Sequence, residues 1–271
     1  MKDRRLLNLF AANAKRGSFR ADAASNTIEL YDLIVSSEIE AEWFGGVSLE
    51  GFAKTLRGMS GTVHLRINSP GGDVFAGVGI AQLMREYDGE IIAHVDGYAA
   101  SAASVVAIAA TKVVMAPASM MMIHKAWTWG IGNSDDLMAT AELLEKIDGQ
   151  LADTYAARGS KDAAAFMQLM AAETWLTPQE AIDCGLADEM AGDKDKSEAN
   201  ARARWDVSAF ERAPSPPEPE GASVADKIRA AVDAALAARD RQDLEKAAAI
   251  AAAEHERGQR QRRAHLLART A

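Results

Sequence analysis

Val63-His64-Leu65-Arg66-Ile67-Asn68-Ser69-Pro70-Gly71-Gly72 is the stretch on which the fold turns. From Val63 to Asn68 apolar and polar residues alternate, the period that buries one face of a β-strand and wets the other. Ser69-Pro70-Gly71-Gly72 breaks that strand, and residues 74–87 have helical composition and spacing. The same order recurs downstream. Residues 91–95 predict a second strand, Gly97-Tyr98-Ala99-Ala100 leads out of it, and an Ala/Val-rich helix begins near Ser101. Two further short apolar segments, 112–115 and 120–123, complete the pattern. Strands alternating with helices in this way predict an α/β domain with a mostly parallel sheet, bounded at residues 27–192.

Outside that frame the signals are helix ends and linkers. Asn133 or Ser134 can cap a long helix, Asp135 and Asp136 suit its positive end, and Leu137, Ala141, Leu144, Asp148, Leu151 and Tyr155 follow helical spacing. Asp148 interrupts that apolar stripe. Thr177-Pro178-Gln179-Glu180 combines an N-cap, a proline at the first helical position and a capping-box glutamate, and Gly185 can end the helix. Residues 1–26 read as an N-terminal arm. Residues 193–222 are charged and then proline-rich, the composition of a semi-rigid linker. Residues 223–271 are Ala-rich and charged, with strong helix propensity but too thin an apolar face for a core of their own, so they read as a helical or partly disordered tail.

A net charge of -9 over 271 residues argues against nucleic acid as the main partner. The single cysteine, Cys184, permits no intrachain disulfide. The basic start lacks the apolar run of a secretion signal, and no stretch demands a membrane span, so a cytoplasmic location is expected.

A serine becomes a nucleophile only when a base takes its proton and donors hold the oxyanion it creates. Ser101 sits at a strand–turn–helix junction where small neighbours admit a substrate backbone, although a serine there also serves as a helix cap. Of the five histidines, His124 alone ends a buried strand, Met120-Met121-Met122-Ile123. The Gly71-Gly72 turn leaves backbone N–H groups accessible, so Gly72 and Ala102 can form an oxyanion hole. A Walker-type phosphate loop is excluded, since no Gly-Lys-Ser/Thr follows, and the G-x-S-x-G elbow is absent around Ser101.

Ile67-Asn68-Ser69-Pro70-Gly71-Gly72, Asp96-Gly97-Tyr98-Ala99-Ala100-Ser101-Ala102-Ala103 and Met122-Ile123-His124, in that order, resemble the proteolytic subunit of Clp proteases. The sequence resembles still more closely the Clp-related proteases of phage head gene clusters, through residues 120–124, the Trp127 loop and residues 172–177. The resemblance implies a crotonase/Clp-like spiral of β-β-α units, here with an α-helical C-terminal extension, and assembly into rings. It implies Ser101 as nucleophile, His124 as base, and Gly72 and Ala102 as oxyanion donors. Glu173 stands where the family has the aspartate that orients the histidine, and its extra methylene requires a shifted backbone. Gly71 and the segment Gly130-Ile131-Gly132 fall where such subunits hold an extended substrate as an added strand. No cofactor or metal is implied.

The function so implied is a serine endopeptidase that processes phage scaffold or coat protein during capsid maturation. A general Clp subunit fed by an AAA+ unfoldase, a catalytically silent capsid scaffold, and an acyl-CoA enzyme of the crotonase fold are the alternatives.

Overall fold

The computed structural model describes residues 5–128, 130–192 and 205–214. Along the chain the elements are α1 (Arg5–Asn13), β1 (Ser18–Asp22), β2 (Thr27–Tyr31), α2 (Glu38–Phe44), α3 (Leu49–Leu56), β3 (Val63–Ser69), α4 (Val74–Arg85) and β4 (Ile91–Ala100). Then come α5 (Ala102–Ala107), β5 (Lys112–Met115), β6 (Met120–Ile123), α6 (Ser134–Arg158), α7 (Ala163–Ala171), β7 (Thr174–Leu176), α8 (Pro178–Asp183) and β8 (Glu189–Met190).

The sheet runs β1-β2-β3-β4-β5-β8, parallel throughout except for the β1–β2 hairpin. What shapes the site is a fork at β4. Its first half, Ile92 to Val95, pairs with β5, and its last residues, Tyr98 to Ala100, pair with β6. Two neighbours on one side of a single strand force the sheet to divide, and β6 then carries β7 antiparallel on its far edge. This is an α/β fold with a mixed, mostly parallel sheet, as the alternation of strands and helices implied.

The alternation read in residues 63–68 is the observed one: Val63, Leu65 and Ile67 are fully buried, while His64 and Arg66 lie half-buried on the other face. That face is closed by polar pairing. His64 Nδ1 lies 3.0 Å from His94 Nε2, and Asp96 accepts from Tyr31 Oη and Arg66. β3 kinks between Ile67 and Ser69, and the side-chain oxygen of Asn68 accepts the buried Tyr98 N–H at 3.1 Å where the ladder slips.

The strand after Val95 extends farther than expected, to Ala100, because Tyr98, Ala99 and Ala100 find partners on β6. Both capping boxes form, at Asn133 with Asp136 and at Thr177 with Glu180. Gly185, in left-handed conformation just past α8, ends that helix as expected.

Two stretches read as peripheral belong to the folded body instead. Leu9 and Phe10 of α1 are buried, and β1 pairs along its length with β2, so residues 5–22 are not a free arm. Within the expected linker, Trp205, Val207 and Phe210 are buried against Leu9, Phe10, Tyr98 and Met122. Aromatic burial outweighs the polar composition around it. The expected helical tail, residues 223–271, lies outside the described residues.

Asn68→Ala removes the acceptor of a buried N–H and is expected to cost about 1–3 kcal/mol in urea unfolding. An unchanged midpoint would show that the slip at β3 needs no side chain.

Candidate active site

Ser101 is the residue that follows the last paired position of β4, with its N–H held by Met122 O at 2.9 Å. Its backbone is at φ 54 and ψ -126, a left-handed conformation that costs a non-glycine residue about 1–3 kcal/mol. The chain is pinned there from both sides. Ser104 donates to Ser101 O through its N–H at 2.9 Å and its Oγ at 2.6 Å, and the buried Tyr155 hydroxyl lies 2.7 Å from the same Oγ. Burial pushes the Tyr155 phenol up, so it stays neutral. Facing the turn, Gly71 is required: a Cβ there would sit 2.5 Å from Ala100 O and 2.8 Å from Ser101 Cβ. A strained turn of this kind projects the serine side chain instead of folding it back. Ser101 makes no capping hydrogen bond to α5, which removes the helix-cap reading.

Its Oγ lies 2.7 Å from His124 Nε2. His124 stands one residue beyond β6, and Ala100 pairs with Met122, so the register of two adjacent parallel strands brings the pair together. The backbone after the histidine is tied down by Asp148, whose Oδ1 accepts from Ala126 N–H at 2.8 Å and whose Oδ2 lies 3.7 Å from Lys125 Nζ. That is why an acid interrupts the apolar stripe of α6. Burial pushes the Asp148 carboxyl up, and the Ala126 N–H and Lys125 oppose the shift.

The imidazole is 8% exposed, enclosed edge-on by Trp127 at 4.5 Å and Phe210 at 5.4 Å between ring centroids. Burial, and then the positive charge of Arg5, pushes His124 down from its ordinary 6.5 to about 4. It is therefore neutral at pH 7, the state in which Nε2 can accept the Ser101 proton.

The expected third contact is not made. Glu173 is buried and at φ 47, and the two oxygens of its carboxylate accept from Glu211 N–H at 3.0 Å and Arg212 N–H at 2.6 Å. His124 Nδ1 is buried with no hydrogen-bond partner among the described residues. The position is nonetheless near: β6 and β7 pair Ile123 with Thr174, so one further step of the ladder sets Glu173 opposite His124.

Gly72 and Ala102 line the same cavity as Ser101 and His124, a space of about 300 Å³ whose walls include Val74, Val105, Leu144 and Ile147. Ile34 N–H donates to Gly71 O, and Asp73 N–H donates to Ile34 O. This bridge leaves the Gly72 N–H directed away from Ile34. Gly72 is at φ 145, and a Cβ would strike the Ile34 carbonyl. The Ala102 N–H opens α5 and has no partner within the helix. Gly130, Ile131 and Gly132 form no strand; they lie exposed before α6 and outside the cavity wall. Sequence reasoning missed Asp148 as a tether and Phe210 as a wall. Only the interrupted stripe signalled the first, and the second lay in a stretch read as linker.

A forked, mostly parallel sheet whose strand ends bring a serine and a neutral histidine within hydrogen-bonding distance defines a Clp-like class of α/β protein. Over 96% of its length, a ClpP1 mutant from Listeria monocytogenes shares this fold, with a TM-score of 0.55 and 20% identity across 65% of the present chain. The Clp protease family matches residues 54–194, and the chain belongs to that family. It is similar to the ATP-dependent Clp protease proteolytic subunit of Bacteroides fragilis, 32% identical over 47% of this chain and 63% of the relative. The match to the corresponding subunit of Ligilactobacillus salivarius is 27% identical over 68% of this chain and 94% of that one. The chain thus spans under two thirds of the Bacteroides relative's length.

The depressed His124 fixes a pH dependence. As pH falls below 6.5 the unfolded chain binds a proton there that the folded chain does not, until about pH 4. This part of the stability is complete above 6.5 and is lost across that window. Relative to His124→Gln, the wild type is expected to lose about 3 kcal/mol between pH 7 and 4 in denaturant titrations. Parallel curves for the two proteins would refute a buried neutral imidazole.

Proposed function

We propose that this chain is a Clp-type serine endopeptidase, and the observation that carries the proposal is the 2.7 Å contact between Ser101 Oγ and a neutral, buried His124. In this reading Ser101 Oγ attacks the scissile carbonyl carbon as His124 Nε2 takes its proton. The N–H groups of Gly72 and Ala102 receive the oxyanion, and the imidazolium returns the proton to the leaving amine. Water then attacks the acyl-enzyme with His124 again as base, releasing the acid and restoring Ser101. Glu173 orients the imidazole through Nδ1 once its carboxylate is free to do so. The apolar walls of the cavity suit an apolar substrate side chain, and the exposed Gly130–Gly132 segment offers backbone to an extended peptide.

The natural role proposed is processing of phage scaffold or coat protein by a ring of such subunits, and it rests on the motif resemblance and on the Ala-rich, charged sequence that follows the proline-rich stretch. A general Clp subunit served by an AAA+ unfoldase is the second reading, favoured by the names of the relatives. Cleavage of a co-expressed phage coat protein and ATP-dependent casein degradation with a co-purified unfoldase separate the two.

A fluorophosphonate is expected to label Ser101 in the wild type, and Ser101→Ala and His124→Ala are each expected to lower peptide hydrolysis at least about 10³-fold. Full cleavage by Ser101→Ala would remove Ser101 as the nucleophile, and absence of both labelling and cleavage in the wild type would leave a silent scaffold.

A further inference from the structure

Residues 205–214 lie against the site through a set of contacts more specific than a linker needs. Trp205 Nε1 donates to Asn68 O at 2.9 Å, beside the Ser69–Gly72 turn. Asn13 of α1 holds the backbone of Asp206 from both sides, donating to its carbonyl at 2.8 Å and accepting its N–H at 2.7 Å. Arg5 pairs with Glu211 and sits over the Trp127 ring. Between these anchors Phe210 packs against His124, Trp127 and Trp175 and forms part of the wall of the Ser101 cavity.

The polar count at this contact is unbalanced. The two N–H groups at 211 and 212 are satisfied by Glu173, while two buried donors that flank Phe210, His124 Nδ1 and Trp175 Nε1, have no acceptor among the described residues. The Glu173 carboxylate, one ladder step from His124, is turned to residues 211 and 212 and leaves the histidine unserved.

We propose that residues 205–214 are a built-in inhibitory strap with Glu173 as its latch: strapped, Phe210 covers His124 and Glu173 holds the strap backbone; released, the cavity opens and Glu173 turns to His124. This rests on the peptidase reading above. The strap is a part of the chain competing with substrate for one face of the site, so loosening it raises reactivity in proportion to the unstrapped fraction.

The test is the rate at which a fluorophosphonate labels Ser101 in the full chain, compared with Phe210→Ala and Glu211→Lys. The second variant sets a positive charge against Arg5 at a surface contact and spares the aromatic core, so the test survives if Phe210→Ala folds poorly. Both are expected to label faster, Phe210→Ala about tenfold or more and Glu211→Lys severalfold. An added peptide of sequence 205–214 is expected to slow Phe210→Ala again. Equal or slower labelling in folded variants would overturn the strap while leaving the peptidase reading intact. No labelling in any of the three proteins, wild type included, would overturn both.

Discussion

Most of this site follows from the way β4 is shared. Along Ile92–Val95 it is bonded to β5, along Tyr98–Ala100 to β6, and at Ser101 it must leave the sheet and start α5 at once. No ordinary backbone conformation makes that turn in one residue, so Ser101 takes a positive φ, and the cost is offset by the two Ser104 bonds, the Tyr155 hydroxyl behind them and the Met122 carbonyl in front. The same fork ends β6 one strand away with its next residue at the serine. A parallel pairing of Ala100 with Met122 thus sets both the strain in the nucleophile and the address of its base.

The second determinant is where two segments flanking the sheet, α1 and residues 205–214, are placed. Leu9 and Phe10 from α1, and Trp205, Val207 and Phe210 from beyond β8, make a small apolar cluster with Tyr98, Ala100 and Met122, on the side of the sheet that carries His124. This cluster supplies the burial that keeps the imidazole neutral, and Arg5, in the same helix as Leu9, acts in the same direction. A base so largely buried is ready to accept a proton but leaves substrate little room. Burial and access oppose each other here, and a movable cover is one way for a single fold to supply both.

The sequence carried the fold well where short-range pattern and long-range packing agree. Alternation in residues 63–68, the glycine turn, and the caps at Asn133 and Thr177 are each local chemistry, and each appears where it was expected. The Ser101–His124 pair was legible because two element ends carried reactive side chains in a family order. The rest was not local. Nothing in Asp148 itself says that its partner is the Ala126 N–H, and nothing in the run around Pro214 says that Phe210 will find a hydrophobic bed. Residues 5–22 were misjudged for the same reason: an edge strand such as Ser18–Asp22 is mostly exposed and has little pattern to read.

Glu173 carries contacts that its sequence position did not announce. One step beyond the Ile123–Thr174 pair of β6 and β7 it stands near His124, at φ 47, with its carboxylate turned to the backbone of residues 211 and 212. What the sequence could not show is a second claimant. A backbone segment with two adjacent N–H groups offers a carboxylate a pair of charge-assisted bonds, whereas an imidazole offers one. While the segment is docked, the pair of bonds wins, and His124 keeps its Nδ1 unpaired. In the proposed strap mechanism the longer side chain is what lets one carboxylate serve either partner. On this view the departure from aspartate belongs to the cover over the site as much as to the histidine beneath it.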